Sequence, residues 1–151
     1  MGKFGSLVPS DKPFRVNIKL DGKQVLDKDG KPFFIDVYAE DSIAGRRFDK
    51  EWRDNILALA KEGKEQPNQI DHNIAKCAAL TAAWHLVDPD TLEPINEPCT
   101  RENAQELYSL PMTAWIWVQP WAAANNHVNF IKRSAKGSMP MQSGTSETAE
   151  S

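Results

Sequence analysis

The stretch FFIDVYAEDSIAGRRFDKEW, residues 33–52, contains a change of hydrophobic period that decides the fold class. Before Asp41 the apolar residues alternate, with Phe33, Ile35, Val37 and Ala39 on one face, which is typical of a strand. After Ser42 they recur every three or four residues, which is typical of a helix. Ser42 is a favourable N-cap residue. The stretch therefore predicts a strand that leads directly into a helix, and so an α+β fold.

Residues upstream of this stretch extend the strand pattern. Apolar and polar residues alternate from Phe14 to Leu20, and Asp21-Gly22 is a typical tight-turn dipeptide. The sequence therefore predicts a small N-terminal antiparallel sheet of two or three strands within residues 14–39.

Residues downstream predict about four helices. The first spans about 43–62 and ends before Gly63, a favourable left-handed C-terminal residue. The second spans 68–87 and is rich in small residues, which predicts a central helix with close neighbours. The third begins after Thr100, another N-cap residue. The fourth runs from Met112 to about Arg133, and Pro120 predicts a kink or a restart within it.

The length of 151 residues favours one domain. We assign that domain to residues 14–133, with strands at 14–39 and helices at 42–133. Residues 1–13 are predicted to be a flexible N-terminus. Residues 134–151 are poor in large apolar side chains, so we predict a disordered C-terminal tail. The predicted architecture is α+β and mostly helical.

The charge and the cysteine content narrow the function classes. Eighteen Lys and Arg against 21 Asp and Glu give 18 − 21 = −3, which disfavours nucleic acid as a partner. The N-terminus lacks the apolar run of a signal peptide, and Met112–Ala124 is shorter than a membrane span. We therefore expect no membrane partner. Two cysteines are too few for a disulfide scaffold and indicate reduced thiols.

No motif predicts catalysis, a cofactor or a metal. The soft ligands His72, Cys77, His85 and Cys99 are separated by five, eight and fourteen residues, unlike the paired spacing of zinc sites. The acidic turn with Asp27 and Asp29 lacks the remaining ligands of a calcium loop. Glycine-rich phosphate loops and nucleophile signatures are absent from the sequence as well. We therefore expect a protein that is not an enzyme.

Two clusters are candidates for binding a partner. Met112, Trp117 and Trp121 supply side-chain types that anchor amphipathic segments, although Trp115, Trp117 and Trp121 are also suited to packing between helices. Arg46 and Arg47, followed by Lys50, form a small basic patch. It is either solvated surface or a docking site for an acidic segment.

Three stretches resemble the tail assembly chaperones of long-tailed bacteriophages. The first is the strand and Asp-Ser cap of Phe34–Ser42, followed by the Arg-bearing helix start Ala44–Arg47. The second is AWHLVD at 83–88, and the third is PCTREN at 98–103 with Leu107 and Leu110. The resemblance covers roughly residues 33–133. The strands at 14–39 depart from purely helical members of that family.

The resemblance implies a protein that is not an enzyme and acts in the host cytoplasm without entering the mature virion. Its implied partners are the tape measure protein, the tail tube protein and a longer, frameshifted form of itself. The chaperone would keep the tape measure protein soluble and help recruit tail tube subunits. The alternative is a small structural neck or tail-completion subunit of the particle. A nucleic-acid-binding module is a weaker third hypothesis, because basic residues do not alternate with aromatic ones.

Overall fold

The computed structural model describes residues 2–131, and the chain divides into two units. Residues Asp11–Phe130 form the larger unit, which contains all the strands and α-helices described below. In the smaller unit, residues 2–10 contain one 3-10 turn, Gly5–Leu7. The predicted tail at 134–151 lies outside the described residues.

The main sheet is antiparallel and has four strands in the spatial order β1-β4-β5-β6. Its strands are β1 (Phe14–Asn17), β4 (Phe34–Val37), β5 (Thr81–Val87) and β6 (Pro94–Ile95). A separate hairpin pairs β2 (Lys19–Leu20) with β3 (Lys23–Gln24). Its turn residues Asp21 and Gly22 have φ values of 55° and 78°. Positive φ at both central positions is the requirement of the turn that suits a two-residue hairpin, as the sequence predicted.

Four α-helices complete the predicted α+β layout: α1 (Ile43–Lys61), α2 (Gln69–Leu80), α3 (Arg101–Ser109) and α4 (Ala114–Ala124). The side chain of Ser42 accepts a hydrogen bond from the Gly45 amide, so the predicted cap of the first helix is confirmed. Gly63 follows α1 with a φ of 68°. Thr100 likewise accepts from the Asn103 amide and caps α3.

The predicted helix at 68–87 is wrong in its second half. The helix ends at Leu80, and Thr81–Val87 continue without a loop as strand β5. Locally, the alanines of this segment favour a helix. Strand β5 nevertheless occupies the open edge of β4, where Ile35 pairs with Trp84 and Phe34 with His85. The hydrogen bonds gained across the sheet override the local helix preference.

The predicted helix at 112–133 is too long. It ends at Ala124 and is followed by a 3-10 turn, His127–Phe130. Pro120 lies inside α4 and is fully buried, so the helix passes through the proline rather than restarting there. The carbonyl of Trp115, in the turn before the proline, accepts a hydrogen bond of 2.6 Å from the side chain of Gln119.

One face of the sheet packs against the helices. Val16, Ile35 and Trp84 lie side by side on β1, β4 and β5 and face the main core. The neighbouring row, Asn17, Phe34 and His85, lies on the opposite face because side chains alternate along a strand. The buried residues of the main core are Ile18, Val25, Phe33, Ile35, Cys77, Ala78, Leu86, Val87, Ala104, Tyr108, Ile116 and Trp117.

Candidate partner-binding surface

The tryptophans of α4 belong to the core rather than to an open surface. Trp117 is only 9% exposed, and its carbonyl oxygen lies 3.8 Å from the Sγ of Cys77. Trp121 is partly buried and packs against the main core and against a second buried cluster, formed by Val37, Leu80 and Ala124. Trp115 makes an edge-to-face contact with Phe33 at 6.1 Å between ring centroids. Because Trp117 is buried, little of its ring is accessible to a partner. All three rings pack against other residues, which is the alternative to partner binding that the sequence left open.

Met112 is placed differently from the tryptophans with which the sequence grouped it. It lies in the turn between α3 and α4, has a φ of 64° and is 93% exposed. A fully exposed methionine is available to a partner, but the structure places it apart from the buried ring of Trp117.

Arg46 and Arg47 are both exposed on the first turns of α1. Successive residues of an α-helix are rotated by about 100°, so the two guanidinium groups leave the helix in different directions. Arg46 donates from Nε to the backbone carbonyl of Asp41 at 3.3 Å. The residues that share its direction are Lys50 and Arg53, one and two turns further along the helix.

The second half of α1 carries apolar side chains that the rest of the protein covers only in part. Phe48 is buried and stacks on Trp52, with 5.6 Å between the ring centroids. Trp52, Ile56 and Leu59 continue the same stripe but are only half-buried. We call these three residues the α1 stripe. The periodicity that predicted α1 also predicted this stripe, but it did not show that the core ends at Phe48.

A shallow hollow lies beside the α1 stripe, with a volume of about 320 Å³. Its rim combines an indole, an imidazole, a proline ring and two side-chain amides. The lining residues are Trp52, Pro67, Asn68, Gln69 and His72. The ring of His72 makes edge-to-face contacts with Trp52 at 5.2 Å and with Phe48 at 5.6 Å. These contacts hold the aromatic wall in place, while Ile70, next in sequence to Gln69, is exposed.

The sheet face opposite the helices carries a connected polar row. Arg15 Nε and Nη2 donate to the two carboxylate oxygens of Asp36 at 2.9 and 3.1 Å. The Arg15 guanidinium also lies over the Phe34 ring, 3.7 Å from its centroid. Phe34 in turn stacks against His85. This row is a self-contained network of ion pairing and cation–π contact.

At the end of that row, Asp27 is buried and bonded on both carboxylate oxygens. Oδ2 lies 2.8 Å from His85 Nε2, and Oδ1 accepts from the amides of Asp29 and Lys31 at 2.9 Å each. These hydrogen bonds, with that to His85 contributing most, hold the pKa of Asp27 below its ordinary value. The charged carboxylate therefore anchors the turn at residues 27–31 to β5.

The two cysteines are not activated as nucleophiles. Burial raises the pKa of Cys77 far above its usual value. Burial also raises the pKa of Cys99, and the negative charge of Asp36 raises it further. Both thiols are therefore protonated at neutral pH, whereas a thiolate is the reactive form.

The four soft ligands considered in the sequence do not come together as a metal site among residues 2–131. A different trio, Glu40, Asp41 and His127, has ligand atoms within 4.8 Å of one another. Glu40 is also paired with Lys76 at 3.3 Å, so its charge is already compensated. Because the trio lies at the surface and Glu40 is already paired, we do not assign it as a metal site.

None of the helices found in residues 2–131 has the length and apolar character required to cross a membrane.

No protein-family model, no curated protein and no solved structure is significantly similar to this chain.

Proposed function

We propose that this protein is a tail assembly chaperone of a long-tailed bacteriophage. It binds the tape measure protein, keeps it soluble and helps to recruit the tail tube protein. It acts in the host cytoplasm, is absent from the mature virion and has a longer, frameshifted form as a further partner. The proposal rests on the resemblance of residues 33–133 and on one structural observation, the partly exposed α1 stripe.

The α1 stripe supplies what a binding chaperone needs. A helical, aggregation-prone client buries its apolar face when it lies along a second amphipathic helix. Trp52, Ile56 and Leu59 project from two successive turns of α1 and are only partly covered by the rest of the protein. The neighbouring hollow with its Trp52–His72 wall could accept one large side chain of such a client. We therefore assign the client-binding surface to α1 rather than to α4.

Other features of the described residues agree with a role in binding rather than in chemistry. The two thiols are held in the protonated form. The Asp27–His85 pair has its carboxylate fully used in hydrogen bonds that hold a turn in place. These groups stabilise the fold, and the proposed function requires no further reactivity from them.

Co-expression with the tape measure protein of the same genome tests the proposal. We expect the tape measure protein to become soluble and to co-purify with the wild-type chaperone. The double variant Ile56→Asp/Leu59→Asp should lose this binding, because two carboxylates on the α1 stripe cannot be buried against an apolar client. Val118→Asp/Val128→Asp is the matched control, since it adds two carboxylates at exposed apolar residues outside α1.

Thermal unfolding of each variant separates loss of binding from loss of fold. A tape measure protein that stays insoluble would contradict the proposal. Equal binding by the stripe variant and the wild type would contradict the surface assignment. Mass spectrometry of purified particles tests the alternative: if the chain is found there in stoichiometric amounts, it is a structural neck or tail-completion subunit.

A further inference from the structure

The solvent side of α1 carries a second stripe, distinct from the α1 stripe. Its members follow one another at spacings of three and four residues, which places them along one face of the helix. They are Ile43, Arg46, Lys50, Arg53 and Leu57, and we call them the outer face. Ile43 is 70% exposed and Leu57 is 57% exposed, so the outer face has an uncovered apolar residue at each end.

The middle of the outer face carries three cations, and one of them, Lys50, is paired at 3.2 Å with Asp54 one turn further along the helix. Each of the three acidic residues of α1 has an ion-pair partner. Asp49 pairs with Lys76 at 2.9 Å, Glu51 with Arg101 at 3.2 Å and Asp54 with Lys50 at 3.2 Å. Among the described residues, Arg46 and Arg53 have no ion-pair partner. Within a chain of net charge −3, this face therefore presents two uncompensated guanidinium groups.

The geometry points to a binding site for an acidic amphipathic helix on the outer face. The bound helix places an apolar side chain against Ile43 and another against Leu57. Between them it presents carboxylates to Arg46 and Arg53, the two cations of this face that have no ion-pair partner. The two apolar contacts are separated by 57 − 43 = 14 residues, or about 21 Å along a helix axis. Guanidinium groups bind carboxylates through paired hydrogen bonds. These bonds require acidic side chains on the bound helix and also fix its position along α1.

A protein helix fits this face better than a membrane or a nucleic acid does. Membrane-bound amphipathic helices insert a continuous apolar strip, whereas Ile43 and Leu57 are separated by three cationic positions. A nucleic acid offers no apolar side chain to cover Ile43 and Leu57, and two unpaired guanidinium groups are few for the many phosphate contacts on which nucleic-acid binding depends. The inference concerns the chemistry of the partner and does not depend on the proposed client of the α1 stripe.

A pair of synthetic peptides tests the inference with the full-length protein. The acidic probe is a helical peptide of about 20 residues with leucine near both ends and glutamate at three intervening positions on the same face. The second peptide has lysine in place of each glutamate. Titration calorimetry should detect binding of the acidic peptide alone, and raising the salt concentration should weaken it.

Charge-reversal variants locate the site. Arg53→Glu should weaken binding of the acidic peptide at least tenfold. Lys23→Glu is the matched control, because it makes the same charge change at an exposed lysine of β3, outside α1. It should leave the affinity within about twofold of the wild type, since only long-range screened repulsion is added. Circular dichroism at the working temperature checks that both variants remain folded.

Several results would overturn the inference. Equal binding of the two peptides would show that charge does not select the partner. Equal losses in Arg53→Glu and Lys23→Glu would show that net charge, not this face, is responsible. Sedimentation of the protein with anionic lipid vesicles, lost in Arg53→Glu, would assign the face to a membrane instead.

Discussion

The side-chain amide of Gln119 is hydrogen-bonded to both backbone groups of Lys19, one hundred residues away in the sequence. Gln119 Oε1 accepts from the Lys19 amide at 2.9 Å, and Nε2 donates to the Lys19 carbonyl at 2.8 Å. The amide thus pairs with strand β2 much as another strand would. This contact connects the β2–β3 hairpin to α4.

Removal of this amide should destabilise the protein. We expect Gln119→Ala to lower the free energy of unfolding by about 1–2 kcal/mol, because the backbone groups of Lys19 lose their partners. Urea denaturation measures the difference. Gln105→Ala removes an exposed glutamine whose side chain bonds only to Ser109, and should be nearly neutral. Equal midpoints for the two variants would show that the Lys19 contact contributes nothing.

The buried ammonium group of Lys76 predicts an asymmetry between two substitutions. Lys76 is 5% exposed and pairs with Glu40 and Asp49, whose carboxylates retain access to water. Lys76→Met should therefore stay within about 1 kcal/mol of the wild type. The double variant Glu40→Gln/Asp49→Asn leaves the ammonium buried without a counter-charge and should cost about 3 kcal/mol or more. Chemical denaturation that gives the opposite order would disprove this account.

The depressed pKa of Asp27 predicts a loss of stability in acid. Because the pKa is lower in the folded state, the contribution of Asp27 is complete above its ordinary value, about pH 4, and is lost as the pH falls through the folded value. Asp27→Asn should flatten the decline in stability below about pH 4. Asp29→Asn, which removes a carboxylate from the same turn, should keep the wild-type slope. Urea midpoints across this pH range provide the comparison.

The two cysteines should react at different rates with a thiol reagent. Cys77 is completely buried, whereas Cys99 is partly exposed. At pH 8 we expect one modification in the folded protein, at Cys99, and a second only after unfolding in urea. Slow reaction of Cys99 itself is expected, because its pKa is raised. Peptide mass spectrometry identifies the modified residue, and early labelling of Cys77 would contradict its placement in the core.

Replacement of Trp117 should affect the fold before it affects any partner. We expect Trp117→Ala to cost about 3–5 kcal/mol, because the cavity left in the main core is large. Met112→Ala should be close to neutral, since the side chain is exposed. Calorimetric melting temperatures distinguish the two. A melting temperature for Trp117→Ala that matches the wild type would show that this ring does not support the core.

Local chemistry was sufficient to predict several features from the sequence. Ser42 and Thr100 cap their helices, Gly63 follows α1, and Asp21-Gly22 makes the hairpin turn, as their side chains and φ preferences require. The α+β class follows from the change of hydrophobic period at Asp41-Ser42. Each of these features depends on residues a few positions apart, so the sequence carries the whole signal.

The candidate surfaces depend on the sequence pattern of α1 and also on the way the rest of the protein packs against that helix. Periodicity placed Trp52, Ile56 and Leu59 on one stripe of α1, and the spacing of Arg46, Lys50 and Arg53 is equally visible in the sequence. Whether a stripe meets the core or the solvent is not a local property, because it depends on which elements pack opposite it. The structure buries Phe48 and leaves the α1 stripe, which begins one turn further along the helix, partly exposed.

By itself, therefore, the sequence determined the local elements with their caps and turns. Tertiary structure decided the outcome where the local pattern allowed two: helix or strand, and buried core or exposed surface. Residues 81–87 form a strand because β4 offers them hydrogen bonds along its open edge, which outweigh the helix preference of their alanines. Trp117 is buried because α4 packs against α2 and the sheet, although an aromatic cluster is equally suited to an interface. Strand pairing and side-chain burial bring together residues that are distant in the sequence. The free energy gained in these contacts outweighs the local preference of a segment for helix or strand.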